Sequence, residues 1–581
     1  MERDIKTQKQ EARASLVTSY ISYVKKYHED PSPSAFKRYL VEMDSEITTW
    51  DSGSGVGKLF NALTDIREAA IKADDSLTEF VFTENELLAR KDEIEEQIQE
   101  AIKTHHRFVI SSVVAGKAAD LEAYQIIKSY CAANDAVLLL IPTEDVKSGK
   151  RLFNWTFDPI FKNELFIFKD TQLSDKVLIS SIKVTAKQFN PTASLEGIVG
   201  KEQKSIFVAA TKNRLKSTPA FPGEIPHILA TTAGALTKND YDNDHFMSQR
   251  TSKIASYYHT LGARVIELDR ETGNFYTREL VIKEGSLVDL GTEYRAGERP
   301  KKVDKAVKVL GDSHAGQQDM ELCRAIFTCL DDIGVVNELV LHDLCNSASI
   351  SHHTSDDVVK RLELIVNDDD VLVNEINQVV KYLNLVSGAP HINKVSVVPS
   401  NHDNHIYKWV KSGRAFSDKD FRNIPTYCKL VLAVHEGKVN NVLQFLVENV
   451  ATEKLMFPEK IQWLAKDTHY KYCGIELSLH GDKGANGARG SLKTFQNAVS
   501  NAIVGHSHSM NILDDVYQVG TTSEMDLGYN EGLSTWTRTC CIGYNEGLST
   551  WTRTCCIGYP NGAKQLITYI PDGRGGYRYH I

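Results

Sequence analysis

What this chain lacks narrows it first. Its ten cysteines are scattered, with no C-x-x-C pair, and four of them (Cys540, Cys541, Cys555, Cys556) belong to one repeated segment. That argues against a disulfide framework and a zinc ribbon, and suits a reduced cytoplasmic compartment. No run of 18 apolar residues occurs, so no membrane span is expected. Met1 to Ala12 is charged and has no apolar core of a signal peptide. An excess of positive charge is also missing. The formal net charge is −9, so a nucleic-acid partner would have to be held by local basic patches.

What is present reads as globular protein. Apolar residues make up 42% and charged residues 25% of 581 positions, enough for about three or four domains. The expected fold class is α/β. Residues 1–80 read as a small helical module, either a plain adaptor or helix-turn-helix-like, broken at Pro31–Ser34 and Asp51–Gly57. Thr83 and Glu86 have capping-box spacing before a helix expected over Asn85–Thr104. Residues 81–297 then alternate apolar strands, from Phe108–Val114 to Val265–Leu268, with helices at Ala118–Ala132 and His245–Thr260. This α/β region carries no visible catalytic constellation; DNA handling or oligomerisation is its expected role. Arg295–Lys302 is polar and turn-forming and reads as a linker. Residues 303–581 form the last unit.

Two local patterns mislead. Gly55-Val-Gly57-Lys58 imitates part of a phosphate-binding loop, but Ser52 stands at the first glycine and no strand precedes it. Gly528–Ile542 recurs unchanged as Gly543–Ile557. A tandem identity of this kind is too short for a solenoid. One copy is expected to serve the fold as a strand and the other to be an insertion, and neither is given chemistry.

Chemistry concentrates in the last unit. Five apolar runs each end in metal-ligand residue types. Val307–Leu310 precedes Asp312 and His314; Leu339–Leu341 precedes His342 and Asp343. Val395–Val398 precedes Asn401, His402 and Asp403. Ile475–Leu479 precedes His480, and Ala502–Val504 precedes His506 and His508. Functional groups collect at the carboxyl ends of strands in layered α/β folds. D-x-H and H-x-H put two donors on one side of an extended chain. Carboxylate, amide and imidazole together suit manganese, iron(II) or zinc. A carboxylate shared by two cations would activate water for attack on a phosphoester, and a nearby histidine would protonate the leaving oxygen.

The order of these segments resembles the calcineurin-like metallophosphoesterase superfamily over roughly residues 303–581. The resemblance implies a β-sandwich flanked by helices and two divalent ions, most readily Mn²⁺, with Mg²⁺, Fe²⁺ or Zn²⁺ as alternatives. It implies Asp312, His314, Asp343 and His508 around one ion, and Asp343, Asn401, His480 and His506 around the other. It makes His402 the general acid and Asp403 the group that orients it. Two positions depart from the family pattern: His342 and Ser400 stand where it has glycine. The arginine of the family's phosphoprotein phosphatases is missing from Leu341–Asn346.

The whole-chain layout is also similar to the pre-early DNA-degrading proteins of T-five-like bacteriophages. That likeness implies a metal-dependent DNase in the host cytoplasm, acting on host DNA early in infection as a homo-oligomer. A phosphatase or cyclic-nucleotide phosphodiesterase, and a non-enzymatic DNA-transfer or assembly protein, are the alternatives. Candidate phosphate contacts are His352, His353, Lys483 and Arg489, the last two in the glycine-rich stretch Gly481–Gly490. Two basic sets could track DNA: Arg295, Arg299, Lys301, Lys302, Lys305 and Lys308, and Lys201, Lys204, Lys212, Arg214 and Lys216.

Overall fold

The computed structural model describes residues 2–27, 30–31, 33–43, 55–144, 156–221, 226–241, 249–351, 354, 357–416, 421–524, 527, 532–537, 553–572 and 576–579. They form a mixed α/β structure. No helix among them is long and apolar enough to cross a membrane.

The N-terminal segment is helical: Glu2–Tyr27, Pro33–Glu42 and Gly55–Ala73. Tyr20, Phe36, Leu40 and Ile66 meet in an apolar cluster of its own. The phosphate-loop imitation is thus the first turn of a helix. Asp30 ties this module to the α/β region, pairing with Arg67 at 2.8 Å and accepting a hydrogen bond from Thr156 Oγ1 at 2.7 Å. The Thr83–Glu86 capping box forms as expected, but the helix after it breaks at Arg90 into Glu84–Ala89 and Lys91–Thr104.

The rest of the chain is organised around three large sheets. The eight-stranded one centres on Arg107–Val114, flanked by Ala136–Thr143 and Gly262–Asp269. The polar stretch read as a linker is instead a hairpin. Thr292 and Glu293 pair with Lys302 and Lys301, and Gly297 takes the left-handed conformation at the turn. Turn-forming composition cannot tell a linker from a hairpin, because both need the same residues.

Five strands and one helix position the donor residues, with a sixth strand flanking them. They are β1 (Ala306–Val309), β2 (Val336–Leu341), β3 (Lys394–Val397), β4 (Ile475–Glu476), β5 (Ala502–Val504), β6 (Arg553–Gly558) and helix α1 (Asn401–Ser412). β1, β2 and β3 are parallel neighbours in the seven-stranded sheet, with β6 antiparallel on the far side of β1. Helices Met320–Ile333 and Leu372–Ser387 bury apolar faces against this sheet. β4 and β5 belong to the ten-stranded sheet.

That ten-stranded sheet joins distant parts of the chain. Arg214–Ser217 pairs antiparallel with Asn511–Leu513, Leu215 opposite Ile512. One apolar core accordingly runs from Phe82 through Phe207 and Ile266 to Ile503 and Leu566. Several cations read as DNA-tracking lie inside this packing. Lys308 is fully buried and donates to Tyr569 Oη at 2.6 Å. Lys212 is buried on the Ala186 carbonyl, and burial pushes its ammonium down to about 8. Arg214 is buried against Asp514, and Lys216 pairs with Glu196. These four point inward or to internal partners, because strand side chains alternate between faces and sequence proximity of lysines does not say which face they take. Lys201, Arg299 and Lys305 stay exposed.

Candidate metal centre

The site sits where the carboxyl ends of strands from two sheets meet. Asp312 and His314 follow β1, Asp343 follows β2 and Asn401 follows β3; His480 follows β4, and His506 and His508 follow β5. The β1–β2 ladder continues past the strands. Ser313 N–H donates to His342 O, His314 N–H to Asp343 O and Ala315 N–H to Leu344 O, at 2.8–3.0 Å. These bonds hold the first two ligand loops side by side.

The backbone is unusual where the donors sit. His314, Asp343, His506 and His508 all have positive φ, between 44° and 74°. Left-handed conformation in non-glycine residues costs about 1 kcal/mol or more each and gathers at functional sites. Gly505 is needed for a different reason: a Cβ there would lie 2.5 Å from Asp312 Oδ1. Gly505→Ala is therefore expected to displace the Asp312 carboxylate. Manganese affinity, read by isothermal titration, should fall by about tenfold or more. Unchanged affinity would mean that Asp312 is not a donor.

The candidate donors fall into two groups, and the first is the one whose ligand atoms lie close enough throughout to hold an ion. In the first, ligand atoms of Asp312, His314, Asp343 and His508 all lie within 4.8 Å of one another. His508 Nε2 is 2.9 Å from Asp312 Oδ2 and 3.3 Å from His314 Nε2. In the second, Asn401 Oδ1 lies 2.8 Å from His480 Nε2 and 3.0 Å from His506 Nδ1, and His480 Nε2 is 3.5 Å from Asp343 Oδ2. All seven sequence-derived donors come together.

Electrostatics and unmet hydrogen bonding both fit divalent cations. Burial alone would raise the carboxyls of Asp312 and Asp343. Facing histidines outweigh it and hold both below the usual carboxylate range: His480 and His508 at Asp312, His402 and His480 at Asp343. His480 is driven the other way: burial is outweighed by Asp343 and Asp312, which raise it to about 9. Two buried carboxylates thus face one imidazolium, which leaves negative charge unbalanced in the site. Burial pushes His314 down to about 3, and His506 is lowered too, the neutral form that ligates metal. Asp343 Oδ1 is buried with no hydrogen-bond partner among the described residues. Buried polar atoms are rarely left so without a missing partner.

Of the two positions that depart from the resembled pattern, the structure accounts for Ser400. Ser400 caps α1: its Oγ accepts from Asp403 N–H while its own N–H donates to Asp403 Oδ2. Its φ of −122° makes no demand for glycine. A cap of this type is worth about 1 kcal/mol, and it fixes Asn401 and His402 in the first turn. His342 is fully buried beside His480, ring centroids 5.6 Å apart.

No hydrogen bond joins Asp403 to His402; Asp403 Oδ2 serves the cap, and Oδ1 is buried with no partner among the described residues. His402 Nδ1 instead lies 2.5 Å from the Asn346 carbonyl oxygen, leaving Nε2 3.6 Å from Asp343 Oδ2. Burial pushes Asp403 up to about 7. Lys483 and Arg489 are exposed on the loop after His480, and Lys483 is 3.9 Å from Asp482. His352 and His353 lie outside the described residues.

Sequence reasoning missed Trp536, in the repeat to which it gave no chemistry. The indole packs on His508 at 4.3 Å between ring centroids. Thr537 N–H donates to His508 O, and Thr537 Oγ1 accepts from Met510 N–H. The fold uses the end of the second copy separately: Cys556 and Ile557 pair with Val309 and Lys308 in β6. Residues 538–552 between these parts are one repeat length and lie outside the described residues. Excising them joins Thr537 to Arg553 and restores one unbroken copy. The melting midpoint and any activity of the shortened chain are expected to match the parent; a large loss in calorimetry would show that both copies are needed.

Protein A1 of Escherichia phage T5 is 28% identical to this chain over 345 residues. The match covers 58% of this chain and 60% of that protein, less than two thirds of either. No family model matches the chain. No solved structure matches it.

Proposed function

We propose that this chain is a phage-encoded, metal-dependent nuclease that hydrolyses DNA phosphodiesters, and that residues 303–581 are built on the calcineurin-like plan. The observation that carries this reading is the shared carboxylate. Asp343 Oδ2 lies 3.5 Å from His480 Nε2 and 4.0 Å from His314 Nε2, so it belongs to both donor sets. Two-metal sites of this construction serve in-line displacement at phosphorus. Similarity to a bacteriophage protein supports the phage setting.

Asp312, His314, Asp343 and His508 would hold one cation, and Asp343, Asn401, His480 and His506 the other. Bound there, the cations supply Lewis acidity toward water and the phosphoryl oxygens. The chain's own part is placement. The loops after β1, β2 and β5 are locked by backbone bonds, so the donors need little reorganisation. His402 would give a proton to the departing oxygen from Nε2. Its Nδ1–H donates to Asn346 O, which directs Nε2 to the Asp343 side. A carbonyl on one ring nitrogen fixes the tautomer and makes the other nitrogen a better base after transfer.

The test is direct incubation with DNA. Linear and circular DNA should both be tried, with Mn²⁺, Mg²⁺ or EDTA. Cleavage with Mn²⁺ and none with EDTA is expected. Fast turnover of phosphomonoesters or cyclic nucleotides, with DNA left intact, would favour the phosphatase alternative.

A further inference from the structure

A cavity of about 560 Å³ opens beside the metal centre, lined by Ser400, Asp403 and His480 at one end. Its walls carry Tyr407, Lys411, Lys466 and Lys483, none of which the chemistry above employs. Asp403, Tyr407 and Lys411 recur at four-residue spacing on α1, so they lie in a row leading away from the donors. Lys411 Nζ sits 5.0 Å from the centre of the Tyr407 ring. Lys411 and Lys466 are exposed, and Tyr407 is half-buried. Three carboxylates, Asp403, Asp467 and Asp482, share the lining, and Lys483 is 3.9 Å from the last. The lysines equal these acids in number.

We propose that this cavity takes an unpaired nucleotide next to the scissile phosphate, and so makes single-stranded DNA the preferred substrate. The inference rests on the nuclease reading. Its size lies in the range of pockets that enclose small ligands, about 300–1,000 Å³. A base pair inside a duplex is stacked on both faces and cannot enter it. An unpaired base can lie on the tyrosine ring, while the flexible Lys411 and Lys466 swing to the neighbouring phosphates. Aromatic rings interleaved with cations are the usual means of holding single strands without reading sequence. The same helix would then carry His402 and Tyr407, which ties the base position to the acid.

Binding separates this proposal from the catalytic one. Fluorescence anisotropy with labelled ten-residue oligothymidylate and a blunt hairpin duplex, both in EDTA, reads the cavity without turnover. The oligothymidylate is expected to bind at least tenfold more tightly than the duplex. Tyr407→Ala should weaken that binding by about tenfold, as expected for loss of one stacked base, and Tyr407→Phe should keep it. Lys466→Ala should make the salt dependence shallower by about 0.7 in log–log slope, a readout that misfolding would not produce. Equal affinity for the duplex, or an unaltered affinity in Tyr407→Ala, would overturn the proposal. If the parent protein cleaved nothing with Mn²⁺ while binding stayed tyrosine-dependent, the nuclease reading would fail and the cavity assignment would stand.

Discussion

Asp343→Ala is expected to abolish Mn²⁺-dependent DNA cleavage, with kcat/KM falling on the order of 10³-fold or more. The reason is position. Asp343 contributes to both donor sets, so its loss disturbs two cation sites at once, whereas any other donor serves one. The fold should survive. Asp343 and Asp312 are buried like charges, and the backbone bonds that align their loops use main-chain atoms. The unfolding midpoint in EDTA should therefore stay close to that of the parent, while stabilisation by added Mn²⁺ disappears. Differential scanning calorimetry with and without Mn²⁺ reads both. A variant that still cleaves DNA at more than a tenth of the parent rate would remove Asp343 from the chemistry.

His402→Gln has the second-largest expected effect, of a different kind. General acid catalysis contributes roughly 10²–10⁴-fold, and it matters most when the leaving group is a poor one. The sugar alkoxide of DNA needs a proton as it departs; p-nitrophenolate scarcely does. The variant is expected to lose most of its kcat on DNA and little on bis-p-nitrophenyl phosphate, with its metal content intact. Equal losses on both substrates would assign His402 to metal binding or to folding. The 3.6 Å approach of His402 Nε2 to Asp343 Oδ2 makes that comparison worth running.

Much of the site was legible because each donor comes after an apolar run. Val307–Leu310, Leu339–Leu341 and Ala502–Val504 have strand-like composition, and the polar residue types at their ends have few other reasons to recur in that order. The pairing of Arg214–Ser217 with Asn511–Leu513 was not legible. Both are short strands, and register between segments nearly three hundred residues apart leaves no local trace. Buried Lys308 and Arg214 look like surface charge in sequence, since their partners Tyr569 and Asp514 are equally remote. The group that orients His402 was hidden more deeply: it is a backbone carbonyl, Asn346 O, which no side-chain motif encodes. Trp536 was masked by the repeat, because a duplicated tryptophan gives no sign of which copy the fold employs.

The most direct measurement is electron paramagnetic resonance of the protein loaded with two equivalents of Mn²⁺. Ions sharing the Asp343 carboxylate should give the broadened spectrum of a spin-coupled pair, and Asp343→Ala should give only uncoupled ions. A parent spectrum of isolated or free aqueous Mn²⁺ would contradict a shared site.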